Sequence, residues 1–419
     1  MNDTRPSALP AEACRDEATL KSFIQTTISP NAWPIHAPLL KRRILERGID
    51  LDEARHWSMD LDAMERLIRC VYTRCARAER LLGISNAFHR ALHNHEVLLR
   101  LLLLEWPTAL PIPEEIREAP MKIHRTLDDI TAVLRRALQV LLEGGVSSAV
   151  LARDLLAALG HDYGHSGGTD RLLPDGTQAP LTHEEMAEKH VAPIGLSFGM
   201  PTALVLEAMA GIRATTFHAR PGRDRIQAVT EFERKLTLAD VMGCVMPPHL
   251  WLTHVGLPVL VEKLPSWRRR LEQIPQEIAA IDTEMASLPE GDEKRARLVA
   301  EREALVLEDT RIIKHVEEWF RSERGFFLFI SSSRLSVVPR AEELWGKVLR
   351  RKITLMERVL ERREELLPLI AMGFPLLEKY ADELANTDDL ERKIEQGTLD
   401  GRLSALLRMF LPRFFDELF

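Results

Sequence analysis

The chain has 419 residues, of which 45% are hydrophobic and 28% charged, a balance typical of a folded protein rather than a disordered one. Lys and Arg total 56 against 63 Asp and Glu, so the net charge of -7 argues against a nucleic-acid-binding surface, which requires clustered basic residues. A small anionic substrate is compatible with this charge because bound cations can reverse the local field.

The sequence predicts a cytoplasmic protein that does not enter a membrane. Residues 1–15 are polar and lack the apolar core of a signal peptide. The longest apolar run, 97–104, is interrupted by Arg100 and is too short to cross a bilayer. The four cysteines form no CxxC pair, and we expect them to be reduced thiols.

Helical periodicity dominates the chain after a flexible tail predicted over residues 1–17. Apolar spacing predicts helices over 60–82, over 128–143 before two glycines, and over 147–159. No segment alternates convincingly like a strand, and 326–338 fits a strand or a buried helix equally well. The predicted fold class is therefore all-α.

Residues 262–316 differ from their surroundings and predict an antiparallel coiled-coil hairpin. Apolar residues follow a three-four spacing in the first half, a Pro-Glu-Gly-Asp break follows at 289–292, and the second half has a seven-residue repeat. The repeat consists of Leu298, Leu305, Ile312 and Trp319. The hairpin either pairs with a partner, for example in a homodimer, or packs only on itself, because a seam does not say whose helix it meets.

His161 and Asp162 are adjacent, His165 follows one helical turn later, and two glycines close the segment. Imidazole nitrogens together with carboxylate oxygens suit zinc, iron or manganese. The alternative, a helix-capping Asp with incidental histidines, is disfavoured by the tight HDxxH cluster. The segment therefore predicts part of a metal site.

Three further segments could complete such a site. His89 and His93 are four residues apart and share one face of a helix, so one can bind a metal while the other faces a substrate. Asp240 lies in an apolar stretch, where a carboxylate is costly unless it is paired or bound to metal. Glu188 and His190 alone are typical of a solvated helix.

In order, these motifs resemble the HD superfamily of metal-dependent phosphohydrolases, and most closely the catalytic domain of class I cyclic-nucleotide phosphodiesterases. The family motifs YHNxxHAxxV, HDxxHxGxxN and LENHHLAVGF are similar to residues 88–97, 161–170 and 187–196. Its LHxADLSNP motif is loosely similar to 236–247, and its ATD to 214–216.

The resemblance implies an HD/phosphodiesterase-like multi-helix domain. Its catalytic core would span 18–261, with the hairpin at 262–316 as an insertion and helices at 317–419 completing the catalytic domain.

By the same resemblance, His93, His161, Asp162 and Asp240 would hold a first metal, zinc in the family. Asp162 would bridge to a second ion, magnesium or manganese, which is held mostly through water.

The remaining motif positions are implied to assist the reaction. His165, Glu188 and Thr215 resemble groups that orient the metal-associated waters, the first two as part of the catalytic machinery. His89 resembles the proton donor to the leaving oxygen, and His190 resembles a histidine with a supporting structural role.

The implied function is hydrolysis of a 3′,5′-cyclic nucleotide such as cAMP or cGMP to the 5′-monophosphate. Two cations would neutralise the phosphate and activate a water, and protonated His89 would assist the departing alkoxide. The family's glutamine in a C-terminal QxGFI motif has no counterpart, because the only glutamine after Trp319 is Gln396. Two alternatives therefore stay open: an HD phosphohydrolase for another nucleotide or phosphoester, and a non-catalytic HD scaffold acting through the hairpin.

Overall fold

The structure, a computed structural model, describes residues 7–82, 91–122, 124, 126–165, 182–216, 226–246, 251, 255–256, 265–364, 366–367, 392–399, 401, 404 and 408. The chain divides into two compact units. The first consists of Met1–Cys244 with Val337–Ala341, and the second of Val245–Ser336 with Glu342–Phe419. Helix dominates the described residues, which confirms the all-α prediction at the level of fold class.

Eleven helices of the first unit fall within the described residues. They are α1 Glu17–Thr27, α2 Pro38–Arg47, α3 Leu51–His56, α4 Leu61–Leu82, α5 Ala91–Glu105, α6 Glu114–Glu118, α7 Leu127–Glu143, α8 Ser148–Gly160, α9 His183–Ser197, α10 Thr202–Ala214 and α11 Glu231–Val241. The bounds of α4, α7 and α8 agree with the periodicity to within one residue at each end. Local signals explain this agreement for α7, because Thr126 and Asp129 form a reciprocal N-terminal cap and Gly144 follows its last residue.

Helix α8 forms the centre of the first unit, where it packs against α4, α5, α9 and α10. Its Ala- and Leu-rich sequence is buried on almost all sides, as expected of a core helix. Its last residue, Gly160, allows a close approach of α9, because a Cβ there would lie 2.6 Å from both methyl groups of Val191. The helix thus ends in tight packing immediately before His161.

The N-terminal segment is packed from residue 8 onward rather than loose, which shortens the predicted tail. Ala8–Leu9 (β1) pairs antiparallel with Ile49–Asp50 (β2), the one ladder among the described residues. Cys14 is buried, and Asp16 caps α1 by accepting hydrogen bonds from two backbone amides. The polar composition of this segment reflects turns and a helix cap rather than disorder.

The second unit contains the predicted hairpin segment, in which α12, Pro265–Ala286, and α13, Glu293–Phe329, are joined by a short turn. The two helices share an apolar cluster of Ile274, Ile281, Leu298, Leu305 and Ile312. They run antiparallel, since Glu284 pairs with Lys294 next to the turn and Asp282 pairs with Arg302 one step further away. The four residues of the seven-residue repeat are all buried. Whether the pair supercoils, and whether it meets a second copy, stay predictions.

The ambiguous segment 326–338 is helical throughout most of its length. Helix α13 continues to Phe329, and a π-helical turn and a 3₁₀ turn follow over Ile330–Arg334 and Leu335–Val337. A further long helix, α14, spans Pro339–Glu361. None of the described helices combines the length and the apolar character needed to cross a bilayer. The assignment of 317–419 to the catalytic domain stays a prediction.

Candidate metal centre

Three helices of the first unit bring potential metal ligands to one place. His93 lies in the first turn of α5, His161 follows the last residue of α8, and Asp240 lies in the last turn of α11. Because α5, α8 and α11 pack against one another, ligand atoms of these three residues all lie within 4.8 Å of each other. Asp162, in the turn after α8, borders the same group.

Three of the four distances between the donor atoms are close to those expected of ligands around one cation. Oδ1 of Asp240 lies 3.2 Å from Nε2 of His161 and 3.5 Å from Nε2 of His93. Oδ2 of Asp162 lies 3.3 Å from Nε2 of His161 and 4.0 Å from Nε2 of His93. Charge-assisted hydrogen bonds are shorter, about 2.7–2.9 Å. Two ligands bound at about 2.0–2.1 Å to a tetrahedral zinc ion lie roughly 3.3 Å apart.

The imidazole of His161 is oriented by its own helix. Its Nδ1 donates a hydrogen bond to the carbonyl oxygen of Ala158 at 2.8 Å, which directs Nε2 towards the two carboxylates. A backbone carbonyl in this position is a common way to fix the tautomer of a metal-binding histidine. Burial alone would lower the pKa of His161, but the charges of Asp162 and Asp240 outweigh it and hold the pKa well above its usual value. The pocket therefore attracts positive charge.

The other two ligands already have the protonation states that a metal requires. Burial lowers the pKa of His93 in spite of the neighbouring Asp240, so its ring is neutral at pH 7. Burial would raise the pKa of Asp240, but the charge of His161 outweighs it, and the net shift is downward. A neutral imidazole and an ionised carboxylate are the forms that bind divalent cations.

Helix direction adds to the attraction for a cation. Both α8 and α11 end at the cluster, so their C-terminal carbonyl groups, which carry partial negative charge, meet there. Cations are favoured at such ends, and two of them converge here.

Glu184, in the first turn of α9, is an acidic neighbour of the cluster that the motifs do not identify. Burial raises the pKa of Glu184, and the negative charge of Asp162 adds to that effect. Each of these two acids raises the cost of the other's negative charge, so positive charge is favoured in their surroundings. The signal in the sequence was the Glu184-Glu185 pair at the start of a helix, which reads as an ordinary N-terminal turn.

The ligand set, its burial and its spacing are thus compatible with a bound divalent metal ion. Comparisons with known protein families, curated proteins and solved structures find no match for this chain. The resemblance to HD phosphohydrolases accordingly rests on the motif residues in the sequence.

Glu188 lies in a buried ion pair, apart from the cluster. One carboxylate oxygen accepts a hydrogen bond from Arg213 Nε at 3.1 Å, and the other accepts one from the backbone amide of His36 at 2.9 Å. Arg213 and Glu188 are only 3% and 1% exposed. Arg213 also donates to the backbone carbonyls of Asn31 and Pro34, so the pair anchors the N-terminal segment on α9 and α10. Its partners are thus structural ones, and the water-orienting role stays a prediction.

The predicted histidines near Asp162 are held by ring stacking. His165 stacks on His183 with 4.4 Å between ring centroids, and its backbone amide donates to the carbonyl oxygen of Asp162 at 3.0 Å. His190 stacks on Tyr163 with 4.8 Å between centroids. Both pairs connect α9 to the turn that carries Asp162, which is a supporting position.

The side-chain contact described for Thr215 lies within its own helix, and the predicted role of this residue stays a prediction. The hydroxyl of Thr215 donates to the carbonyl oxygen of Ile212 at 2.7 Å, at the end of its own helix. His89 lies outside the described residues.

Proposed function

We propose that this chain is a metal-dependent phosphohydrolase of the HD type, with a first cation held by His93, His161, Asp162 and Asp240. The observation that most supports this is the donor spacing, 3.2 Å between His161 and Asp240 and 3.3 Å between His161 and Asp162. These ligands come from three segments far apart in sequence, and the same positions were selected from the motifs.

The chemistry follows from what each partner supplies. A bound divalent cation supplies Lewis-acid activation of water and neutralises phosphate oxygens. The protein supplies rigid orientation, because Nδ1–H of His161 donates to the Ala158 carbonyl and leaves Nε2 as the nitrogen that faces the other ligands. Burial of His93 and His161 excludes bulk water from these ligands, which strengthens their electrostatic interaction with a cation.

The surroundings of the cluster support an anionic substrate. Burial raises the pKa of Tyr163, the residue after Asp162, while Arg74 and Arg77 on α4 are close enough to oppose that rise. Both arginines are exposed. Positive side chains beside a cation site attract phosphate groups by long-range electrostatics even when the whole chain is acidic.

Within this class we propose a 3′,5′-cyclic nucleotide as the substrate. This step depends on the motif resemblance, in which His89 is the acid that protonates the leaving oxygen and Asp162 bridges to a second cation. The nearby Glu184 supports a second cation site beside Asp162. Hydrolysis would give the 5′-monophosphate.

Two observations favour other functions. The missing counterpart of the family's purine-binding glutamine favours a different nucleotide or phosphoester. The long antiparallel helix pair α12–α13, with its shared apolar cluster, favours a scaffold that works through a coiled-coil arm. In the scaffold, metal would bind without turnover.

A substrate screen on the purified full-length chain separates these proposals. Metal content is measured first, and then cyclic mononucleotides, cyclic dinucleotides and nucleoside triphosphates are tested with added Mn²⁺ or Mg²⁺. Asp240→Asn should lose both metal and turnover, whereas His124→Ala, a buried histidine bonded to the Ala119 carbonyl, should keep both. Metal with no turnover on any substrate favours the scaffold, and no metal at all contradicts the phosphohydrolase.

A further inference from the structure

Arg100 is a fully buried arginine that donates hydrogen bonds to the C-terminal end of α11, the helix that carries Asp240. It is 1% exposed, and its Nη1 donates to the carbonyl oxygens of Ala239 at 2.8 Å and Asp240 at 3.4 Å. Helix α11 ends at Val241, so these two carbonyls have no partner within their own helix. The guanidinium also pairs with Glu96 one turn earlier on α5, at 3.3 Å.

Asn94 makes the corresponding contact to the other helix end. It is buried, it follows His93 in the chain, and its Nδ2 donates to the carbonyl oxygen of Leu159 at 2.9 Å. Helix α8 ends at Gly160, so this carbonyl too is one of the last four of its helix. Leu159, whose carbonyl accepts this bond, lies two positions before His161.

A single helix therefore carries one ligand and holds the two helix ends that carry the others. From α5, His93 enters the cluster directly, Asn94 fixes the end of α8, and Arg100 fixes the end of α11. Both contacts are to backbone carbonyls, so they set where a helix ends rather than how a side chain rotates. Ligands held at the correct spacing before the ion arrives lose little conformational freedom on binding.

We propose that Asn94 and Arg100 are positioning residues that set the spacing of the metal-binding cluster by capping the C-terminal ends of α8 and α11. The inference deepens the proposed function and rests on its metal site. Both residues contact the backbone of the ligand helices, and neither belongs to the group of ligand atoms.

The alternative is that both residues only stabilise the core, and the two roles differ in measurable ways. A residue that only stabilises the core changes the midpoint of unfolding but leaves the coordination geometry of the folded protein intact. A positioning residue changes the affinity and the geometry even in protein that remains folded. Loss of groups that orient metal ligands typically weakens metal binding by about 10- to 100-fold.

Cobalt provides both readouts, because Co²⁺ reports affinity by titration and geometry by its visible absorption spectrum. The full-length chain is stripped of metal and titrated with Co²⁺, as are Asn94→Ala, Arg100→Lys and Arg100→Met, each checked for helical content. Asn94→Ala is informative because alanine favours the helix, so it is expected to fold. Glu233→Gln is the matched control, since buried Glu233 bonds Asn31 and the Val229 amide at the opposite end of α11.

We expect the Asn94 and Arg100 variants to bind Co²⁺ about 10- to 100-fold more weakly with altered spectra, and Arg100→Lys to restore part of the affinity lost in Arg100→Met. Glu233→Gln should match the wild type in both readouts. Wild-type affinity and spectrum in folded Asn94→Ala and Arg100→Lys would overturn the inference and leave the metal site intact. Absence of Co²⁺ binding by the wild-type chain would instead overturn the proposed function.

Discussion

Nε2 of His161 lies 3.2 Å from Oδ1 of Asp240, although the two residues are held by the ends of different helices. In the absence of a metal, the acids hold the pKa of His161 well above its usual value, so a proton takes the place of a cation. A divalent ion would replace that proton and bring two further ligands, the neutral ring of His93 and the carboxylate of Asp162, into one shell. The folded state should therefore bind metal more strongly than the unfolded chain.

Metal binding should raise the thermal stability of the protein, because a ligand that binds only the folded state stabilises it by mass action. At a free metal concentration 100 times the Kd the gain is about 2.7 kcal/mol. Thermal unfolding with Zn²⁺ or Mn²⁺ and then with excess chelator measures it. Asp240→Asn should show no shift between the two conditions. An equal shift in Asp240→Asn would place the stabilising ion elsewhere.

His89→Ala should lower turnover by about 10²–10⁴, the usual contribution of general acid catalysis, while metal content stays unchanged. The residue precedes the ligand His93 by four positions, and this spacing gives the acid role in the resemblance. The measurement is kcat on the substrate found in the screen, together with metal content. His95→Ala, two residues beyond His93, controls for loss of a nearby imidazole. Full activity in His89→Ala would make the role assignment wrong.

The fold class and the helix bounds were predictable because they depend on local patterns. Apolar spacing located α7 and α8 to within a residue, and capping residues such as Thr126 mark where such helices start. Packing between distant segments carries no such pattern. Nothing in the local sequence of Glu188 indicates that its partner is Arg213, and the motif alone placed it beside the metal.

The position of Arg100 in the sequence already indicates that it has a partner. It interrupts the leucine-rich run 97–104, and an isolated charge in an apolar helix requires a partner for the same reason that Asp240 does. For the same reason, Arg100 and Asp240 are both expected to have a bonding partner. The structure connects them, because Arg100 donates a hydrogen bond to the backbone carbonyl of Asp240. The identity of the partner still could not be derived, since α5 and α11 are far apart in the chain.

Arg213→Met should destabilise the protein by about 3–5 kcal/mol, because it leaves the buried carboxylate of Glu188 without its counter-charge. Metal content per folded molecule should not change, since the described hydrogen bonds of Glu188 connect it to Arg213 and to the backbone of residues 36 and 37. Urea unfolding gives the free energy, and metal analysis of the folded fraction gives the stoichiometry.

Arg135, whose half-exposed side chain pairs with Asp62 and Glu65, provides the control, and Arg135→Met should cost only about 0–1 kcal/mol. Stability, metal content and turnover are measured on Glu188→Gln as well, because this variant removes the charge of Glu188 itself. Lost stability with retained metal supports an anchoring role for Glu188. Lost metal or turnover with retained stability would instead support the role in which Glu188 orients water at the metal.

Ionisation of Asp154, in the middle of α8, should lower the free energy of unfolding as the pH rises. Burial raises its pKa to about 7, the charge of Arg153 opposes the rise, and the negative charge of Glu105 adds to it. Its Oδ2 has no hydrogen-bond partner among the described contacts. An unfolded Asp titrates near 3.9, so between about pH 4 and 7 the folded state binds the extra proton. The free energy of unfolding therefore falls across that window, by an amount on the order of a few kcal/mol, and stays lower above it.

Asp154→Asn removes the titrating group and keeps a side chain of the same shape. Its unfolding free energy, measured in urea from pH 5 to 8, should fall less with pH than that of the wild type. Asp128→Asn, at an exposed residue paired with Arg69, should leave the wild-type slope unchanged. If Asp154→Asn reproduces the wild-type slope, the carboxyl of Asp154 is ionised in the folded state throughout this range and the charge of Arg153 outweighs the burial.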